Sequence, residues 1–235
     1  MRTFLSTIAV IAALVAEVTA AKDADLPHNI RVAMVLIEVS HPVLTGMMNG
    51  PDTRGHVLYA NAMALTKQGD AKLLESCLLA TRPAQKGNLG GIREFIYPII
   101  YDPPGGDLRP PPPPKTPRLR PWTPEAWEIK NTGLSLEIEP NISEGGGIVN
   151  LRLEPVFVSL ARLDTWIEYV DHWGDGSVRQ PVFETLRTNT SIDLLPGRFE
   201  LIAVLTPQAT AAGPVPLRKV LVFIRADIIT VRPPG

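Results

Sequence analysis

The amino-acid sequence predicts an α+β protein in which antiparallel β-sheet predominates. Three observations lead to this fold class. Residues 131–155 alternate apolar and polar side chains on both sides of a glycine-rich turn, as in an amphipathic β-hairpin. Residues 30–100 place a helical pattern between two β-rich runs. Residues 125–231 contain further β-rich runs that are separated by turn signals.

The N-terminal residues predict export. An apolar run extends from Phe4 to Ala16, and Val18–Ala20 fits the small-residue pattern of a signal-peptidase site. The run is too short to cross a bilayer, which takes roughly 20 apolar residues. We therefore predict a signal peptide at residues 1–20 and a single domain at 21–231, with a buried N-terminal helix as the alternative to the signal peptide.

Residues 30–100 predict an opening β-α-β unit followed by one more strand. The stretch IRVAMVLIEV is apolar on both faces, as expected for a buried strand. Small and apolar residues at helical spacing then predict a helix that Gly69 would end. The predicted elements are a strand at 30–39, a helix at 56–68 and strands at 71–81 and 92–100.

Residues 103–124 predict an extended loop inserted in the sheet. Ten of these 22 residues are proline, which neither donates to a β-ladder nor continues a helix. A docking site for a proline-binding partner is the alternative, but it fits an exported protein less well than a semi-rigid spacer. Beyond the loop, the β-rich part at 125–231 predicts strands at 165–173, 181–195, 198–207 and 218–231.

The hairpin at 131–155 predicts part of the core. Its apolar side chains should share one face, covered by the helix at 56–68 or by other strands, while its charged side chains face water or a partner. The predicted core residues are Leu136, Ile138, Leu151 and Leu153, and the predicted outward residues are Glu137, Glu139, Arg152 and Glu154.

The sequence shows no motif of a known catalytic or cofactor site. The signatures of serine hydrolases, zinc peptidases and nucleotide-binding loops are missing, and the four histidines lack metal-ligand spacing. We predict no enzyme, no cofactor and no metal site; an enzyme that uses Asp171 and His172 is the alternative.

The single cysteine, Cys77, lies in the apolar stretch LLESCLLA and predicts a buried, structural thiol. With 23 basic and 24 acidic residues the net charge is −1, which argues against a nucleic-acid partner.

Three aromatic residues are candidates for an interface or a membrane rim. Trp166, Tyr169 and Trp173 follow one another at the end of a predicted strand. Aromatic rings are favoured where one end of the ring is apolar and the other is wet. Ordinary packing between neighbouring strands is the alternative use of these side chains.

Five stretches follow one another along the chain in the order of a known family: LLESCLLATRPAQKGNLGGIREFIYP, GLSLEIEPNI, IVNLRLEP, PVFETLRTNTSIDLLPGRFELIAVL and LVFIRADII. This order resembles the C-terminal domain of secretins, the ring-forming outer-membrane channels of bacterial type II and type III secretion and of type IV pilus systems. The likeness spans 30–231. It departs from the family pattern after the glycine turn, where AVLTP stands in place of a Gly-Gly-Leu segment, and further on, where QATAAGPVPLRK replaces a Pro-Leu-Leu-Gly-x-Ile-Pro stretch. The resemblance is therefore to a reduced and divergent secretin-like module.

The resemblance implies a non-enzymatic cell-envelope protein of the periplasm or outer membrane. Its expected partners are itself or other components of a secretion or pilus apparatus, and membrane association would not use a transmembrane helix. A monomeric periplasmic adaptor that keeps the fold without a pore is the alternative function. The resemblance also implies that the strands flanking the Pro-rich loop are neighbours in one sheet.

Overall fold

A computed structural model describes residues 26–102, 122–171, 174–207 and 218–232. Within these ranges it contains two helices and eleven strands, which confirms the α+β class with predominantly antiparallel sheet. The helices are α1 (His41–Met48) and α2 (Gly55–Gln68). The strands are β1 (His28–Ser40), β2 (Ala71–Thr81), β3 (Gly87–Asp102), β4 (Thr123–Ile142), β5 (Val149–Ile167), β6 (Val170–Asp171), β7 (Gly174–Asp175), β8 (Val178–Arg187), β9 (Thr190–Leu194), β10 (Glu200–Leu205) and β11 (Arg218–Thr230). The predicted signal peptide at 1–20 lies outside the described residues.

The first sheet has the strand order β10-β11-β1-β2, and every neighbouring pair is antiparallel. Strand β1 lies between β11 and β2 and is buried on both faces, as its two-sided apolar pattern predicts. It pairs with β11 from His28–Thr230 to Ser40–Arg218. Strands from the two ends of the chain are therefore joined in one sheet.

The second sheet has the strand order β3-β4-β5-β8, and β9 pairs with the first residues of β5. It packs face to face on the first sheet, and the apolar side chains of both sheets form the main core. Leu136, Ile138, Leu151 and Leu153 are at most 1% exposed, which confirms the predicted inward face of the hairpin. Strands β3 and β4 pair along their length, so the two sides of the Pro-rich segment are neighbours. Residues 103–121 of that segment lie outside the described residues.

The helices cover the opposite face of the first sheet. Leu44 of α1 and Leu58 and Ala62 of α2 pack on Ile37 and Phe223 in a second apolar cluster. The hairpin at 131–155 is therefore covered by strands of the first sheet and not by α2. The sequence predicted a cover of either the helix or other strands, and the structure has strands. Strands β1 and β11 supply the apolar layer over β4 and β5.

Three elements differ from the sequence prediction. The predicted strand 165–173 is interrupted, because β5 ends at Ile167 and only Val170–Asp171 form the next strand, β6. Helix α1 was not predicted, although Ser40 caps it by accepting a hydrogen bond from the Val43 amide and a proline occupies its first turn. The predicted strand 181–195 is two strands, β8 and β9, which pair with different parts of β5. Helix α2 ends at Gly69 in the left-handed conformation (φ 88°), as predicted.

Candidate assembly surface

The second sheet divides into two hairpin arms beyond Gly133 and Val158. Strands β4 and β5 pair only as far as this position, whereas the β3–β4 and β5–β8 pairings continue beyond it. We call the hairpin of residues 92–102 and 123–132 the first arm, and the hairpin of residues 159–167 and 178–184 the second arm. At about 3.3 Å per residue, the first arm extends roughly 35 Å from its root. Among the described residues, β3 and β8 each pair with one strand, so each arm has an open edge.

The outer face of the second sheet is charged where the sheet covers the core. Lys86 lies 2.5 Å from Glu137, and Arg187 forms an ion pair with Glu154. Glu139 and Arg152 are cross-strand partners on the same face and are exposed. The four charged residues of the hairpin therefore point outward, as predicted. Solvent-exposed pairs of this kind contribute little to stability, about 1 kcal/mol or less each.

The first arm exposes apolar side chains in place of these charges. Ile96 pairs directly with Ile129, and both are more than half exposed. Cross-strand partners lie on one face, and so do residues two positions apart, so Trp127, which is 58% exposed, continues this apolar surface. Ile92, 57% exposed, lies on the same face beyond the polar pair Glu94–Asn131. Contiguous apolar surface of this kind marks an interaction site more often than a solvated surface.

The second arm and the turn at its end carry two of the three aromatic residues that the sequence singled out. Trp166 is 74% exposed and lies at a bulge of β5, where the register with β8 shifts between Thr165 and Ile167. Tyr169 lies in the turn at the end of the arm, where its amide donates to the Ser177 hydroxyl over 3.0 Å. Trp173 lies outside the described residues, as does His172. Leu160, Leu163 and Val170 are also exposed on this arm and near its end.

Three aromatic residues that the sequence analysis did not single out join the two arms. The Phe95 and Tyr97 rings of β3 lie 5.6 Å from the Phe183 ring of β8, measured between ring centroids. The Gln180 side chain of β8 donates a hydrogen bond to the Pro98 carbonyl over 2.9 Å. The available sequence signal was the i, i+2 spacing of Phe95 and Tyr97, which places both rings on one face of β3. Partial burial and a hydrogen bond to Glu128 raise the pKa of Tyr97.

The titratable groups near the arms are held by neighbouring side chains. A hydrogen bond from Ser177 lowers the pKa of Asp175, which also forms an ion pair with Arg179. A hydrogen bond from Arg162 lowers the pKa of Asp164. Within the described ranges, no group of three or more histidine, cysteine, aspartate or glutamate residues is placed to hold a metal ion.

Cys77 is half-buried, where the sequence predicted a buried thiol. Its side chain packs against the main core with Leu74 and Leu79, but Leu73 and Leu78 are 46% and 55% exposed. The reason is that β2 is the edge strand of the first sheet, and the helices leave much of its outer face open. Burial still raises the pKa of the Cys77 thiol.

Comparisons with known proteins find similarity in structure alone. No family model matches the sequence, and no curated protein is similar to it. The type II secretin GspD from enteropathogenic Escherichia coli has 12% identity and a TM-score of 0.42, over 93% of this chain and 75% of that chain. The type III secretion injectisome secretin InvG of Salmonella has 12% identity and a TM-score of 0.43, over 97% and 71%. For Aeromonas hydrophila ExeD the values are 15% and 0.42, and the 94% of this chain that matches spans about half (52%) of that chain. Neither helix among the described residues is long and apolar enough to cross a membrane. These values describe a distant likeness in fold.

Proposed function

We propose that this protein is a non-enzymatic, exported cell-envelope protein, secretin-like, that takes part in the assembly of a protein secretion or type IV pilus apparatus. The observation that carries the proposal is the pair of hairpin arms, which extend beyond the core and expose both apolar faces and open strand edges. The predicted signal peptide at 1–20 supports export to the periplasm or outer membrane.

The arms are suited to pairing with other chains. An open edge presents unpaired backbone N–H and C=O groups, which bind a further strand by the same hydrogen bonds that hold a sheet together. Strands β3 and β8 form the two edges of one antiparallel sheet. Because β3, β4, β5 and β8 run in alternating directions, β8 of one copy and β3 of the next would meet in antiparallel orientation and continue the sheet. The exposed Ile96, Ile129 and Trp127 would then be covered by a neighbouring copy or by another envelope component.

A non-enzymatic role agrees with the state of the one cysteine. Cys77 is half-buried against the core and its raised pKa favours the protonated thiol, which is the less nucleophilic form. Asp175, which lies four residues from Asp171 in the sequence, accepts a hydrogen bond from the Ser177 amide and forms an ion pair with Arg179.

A monomeric periplasmic adaptor is the second candidate, and one observation favours it. The rings of Phe95, Tyr97 and Phe183 bring the two arms of a single chain together, so the open edges of β3 and β8 lie close to each other and leave less room for a second copy. An adaptor would use the exposed faces of the arms to bind a different protein.

Cell fractionation combined with a native mass measurement tests the proposal. When the complete sequence is expressed, the exported protein should have lost residues 1–20 and should appear in the envelope fraction. Its native mass, measured by light scattering, should correspond to an assembly of several copies. An envelope protein that stays monomeric at every concentration would support the adaptor instead. Recovery of the uncleaved protein in the cytoplasm would contradict both candidates.

A further inference from the structure

The contact between the two arms joins strands that lie at opposite edges of the same sheet. In a flat sheet with strands about 4.8 Å apart, β3 and β8 would lie roughly 14 Å from each other, because β4 and β5 separate them. The centroid distances of 5.6 Å from Phe183 to Phe95 and to Tyr97 therefore require the arms to bend toward each other. The two arms can bend in this way because β4 and β5 are not paired beyond Gly133 and Val158, so the arms are not held side by side there.

The root of the first arm has the composition of a hinge. Gly133 forms the last pair between β4 and β5 and has a φ of 111°. Residues other than glycine rarely adopt this backbone conformation. A Cβ atom at Gly133 would lie 2.1 Å from the Gly91 carbonyl oxygen on β3. Gly90 and Gly91 lie directly across from this part of β4. Three glycines on two paired strands leave the backbone at the root freer to bend than the strands on either side.

We propose that Phe95, Tyr97, Phe183 and Gln180 form an intramolecular latch that holds the two arms together and keeps the β3 and β8 edges from pairing with a second copy of this chain. The glycines at the root of the first arm are the hinge on which the latch opens. This inference rests on the proposed self-assembly of the arms, and it adds a control on that assembly. The latch accounts for two observations together. The edges of β3 and β8 are suited to pairing with another chain, and the ring contact holds these two edges close to each other within one chain.

The latch is weak enough to open. It consists of two ring contacts to Phe183 and one hydrogen bond, from Gln180 to the Pro98 carbonyl. Interactions of these kinds shift a closed–open equilibrium by roughly 10-fold to 1,000-fold in total. All three rings are only half-buried, whereas the core beneath the root of the arms is fully buried. The arms can therefore separate while the core stays folded.

Variants of the latch test the inference in two measurements. The first uses the Cys77→Ser background with cysteines in place of the exposed Glu94 and Thr185, so that spin labels report the distance between β3 and β8 in the dilute monomer. The second measures the protein concentration at half-assembly by mass photometry, without labels. The variants are Phe183→Ala and the milder Gln180→Ala, which removes one hydrogen bond and keeps every ring. Trp127→Ala is the control, since it truncates an exposed aromatic residue on the other face of the first arm.

We expect Phe183→Ala to lengthen and broaden the distance distribution and to lower the half-assembly concentration about ten-fold, and Gln180→Ala to lower it about five-fold. Trp127→Ala should leave the distance unchanged and should raise the half-assembly concentration rather than lower it, because Trp127 lies on the face that a neighbouring copy would cover. The inference is overturned if Phe183→Ala and Gln180→Ala leave the distance unchanged, or if they open the arms and assembly becomes no easier. If neither the wild type nor any variant assembles, self-assembly of the arms is refuted, and the proposed latch that controls assembly is refuted with it.

Discussion

Replacing Leu151 by aspartate should remove most of the stability of the fold. Leu151 is 0% exposed and lies on β5 between Pro140 of β4 and Ile192 of β9, at the centre of the main core. Loss of the buried leucine side chain costs about 2–5 kcal/mol, because the surrounding strands cannot collapse into the space. A carboxyl group placed there without a hydrogen-bond partner costs at least about 2 kcal/mol more. The expected total of about 4–7 kcal/mol is comparable with the whole free energy of unfolding of an ordinary domain, about 5–15 kcal/mol.

Urea unfolding followed by far-ultraviolet circular dichroism measures this effect. With a denaturant dependence of about 2 kcal/mol per molar urea, Leu151→Asp should lower the unfolding midpoint by about 2–3.5 M or prevent folding altogether. The matched control is Leu163→Asp, the same change on the same strand at a side chain that is 51% exposed. It should change the free energy of unfolding by no more than about 0.5 kcal/mol. Equal midpoints for the two variants would refute the assignment of the buried face.

Three further predictions concern single groups and one segment. Native Cys77 should react with a thiol reagent at pH 7.5 at least about ten-fold more slowly than in urea-unfolded protein, because burial raises the pKa of the thiol; equal rates would contradict it. Hydrogen bonds from Arg54 lower the pKa of Asp52 from 3.8 to about 2, so its carboxyl carbon should titrate near pH 2 by NMR and move back toward 3.8 in Arg54→Gln. Since the folded pKa lies below the unfolded one, the contribution of this pair is present above pH 3.8 and is lost as the pH falls toward 2. Trypsin cleavage at Lys115 or Arg118 should leave the two fragments associated, because β1 and β2 pair with β11 in one sheet; fragments that separate on size exclusion in native buffer would contradict this.

The parts of the fold that follow from local periodicity could be predicted from the sequence. The alternation around Leu136 and Leu151 fixes which face of the hairpin is buried, and the two-sided apolarity of β1 fixes its central place. Periodicity does not show what covers a buried face. Helix α2 and strands β1 and β11 were both chemically suitable covers for the hairpin, and the choice depends on long-range pairing between the two ends of the chain.

The arms were harder to predict for the same reason. Phe95 and Phe183 are far apart in sequence and meet only because the sheet splits at Gly133 and each arm bends. An i, i+2 pattern identifies the face of a strand but carries no information on how strongly the strand twists or bends. For Cys77 the sequence overestimated burial. The four leucines around it suggest a buried strand, but β2 is an edge strand with one open face, and two of the four leucines are exposed.

Cross-linking between two single-cysteine populations tests most directly whether the open edges pair between copies. In the Cys77→Ser background, one population carries Glu94→Cys on β3, and the other carries Thr185→Cys on β8 together with an affinity tag. Both sites are exposed in the single chain. After mixing above the concentration at which the protein assembles and treatment with a short bismaleimide, we expect heterodimers of tagged and untagged chains as the main product. Absence of cross-links, or equal yields when either population is treated alone, would contradict pairing of β3 with β8 and with it the proposed assembly.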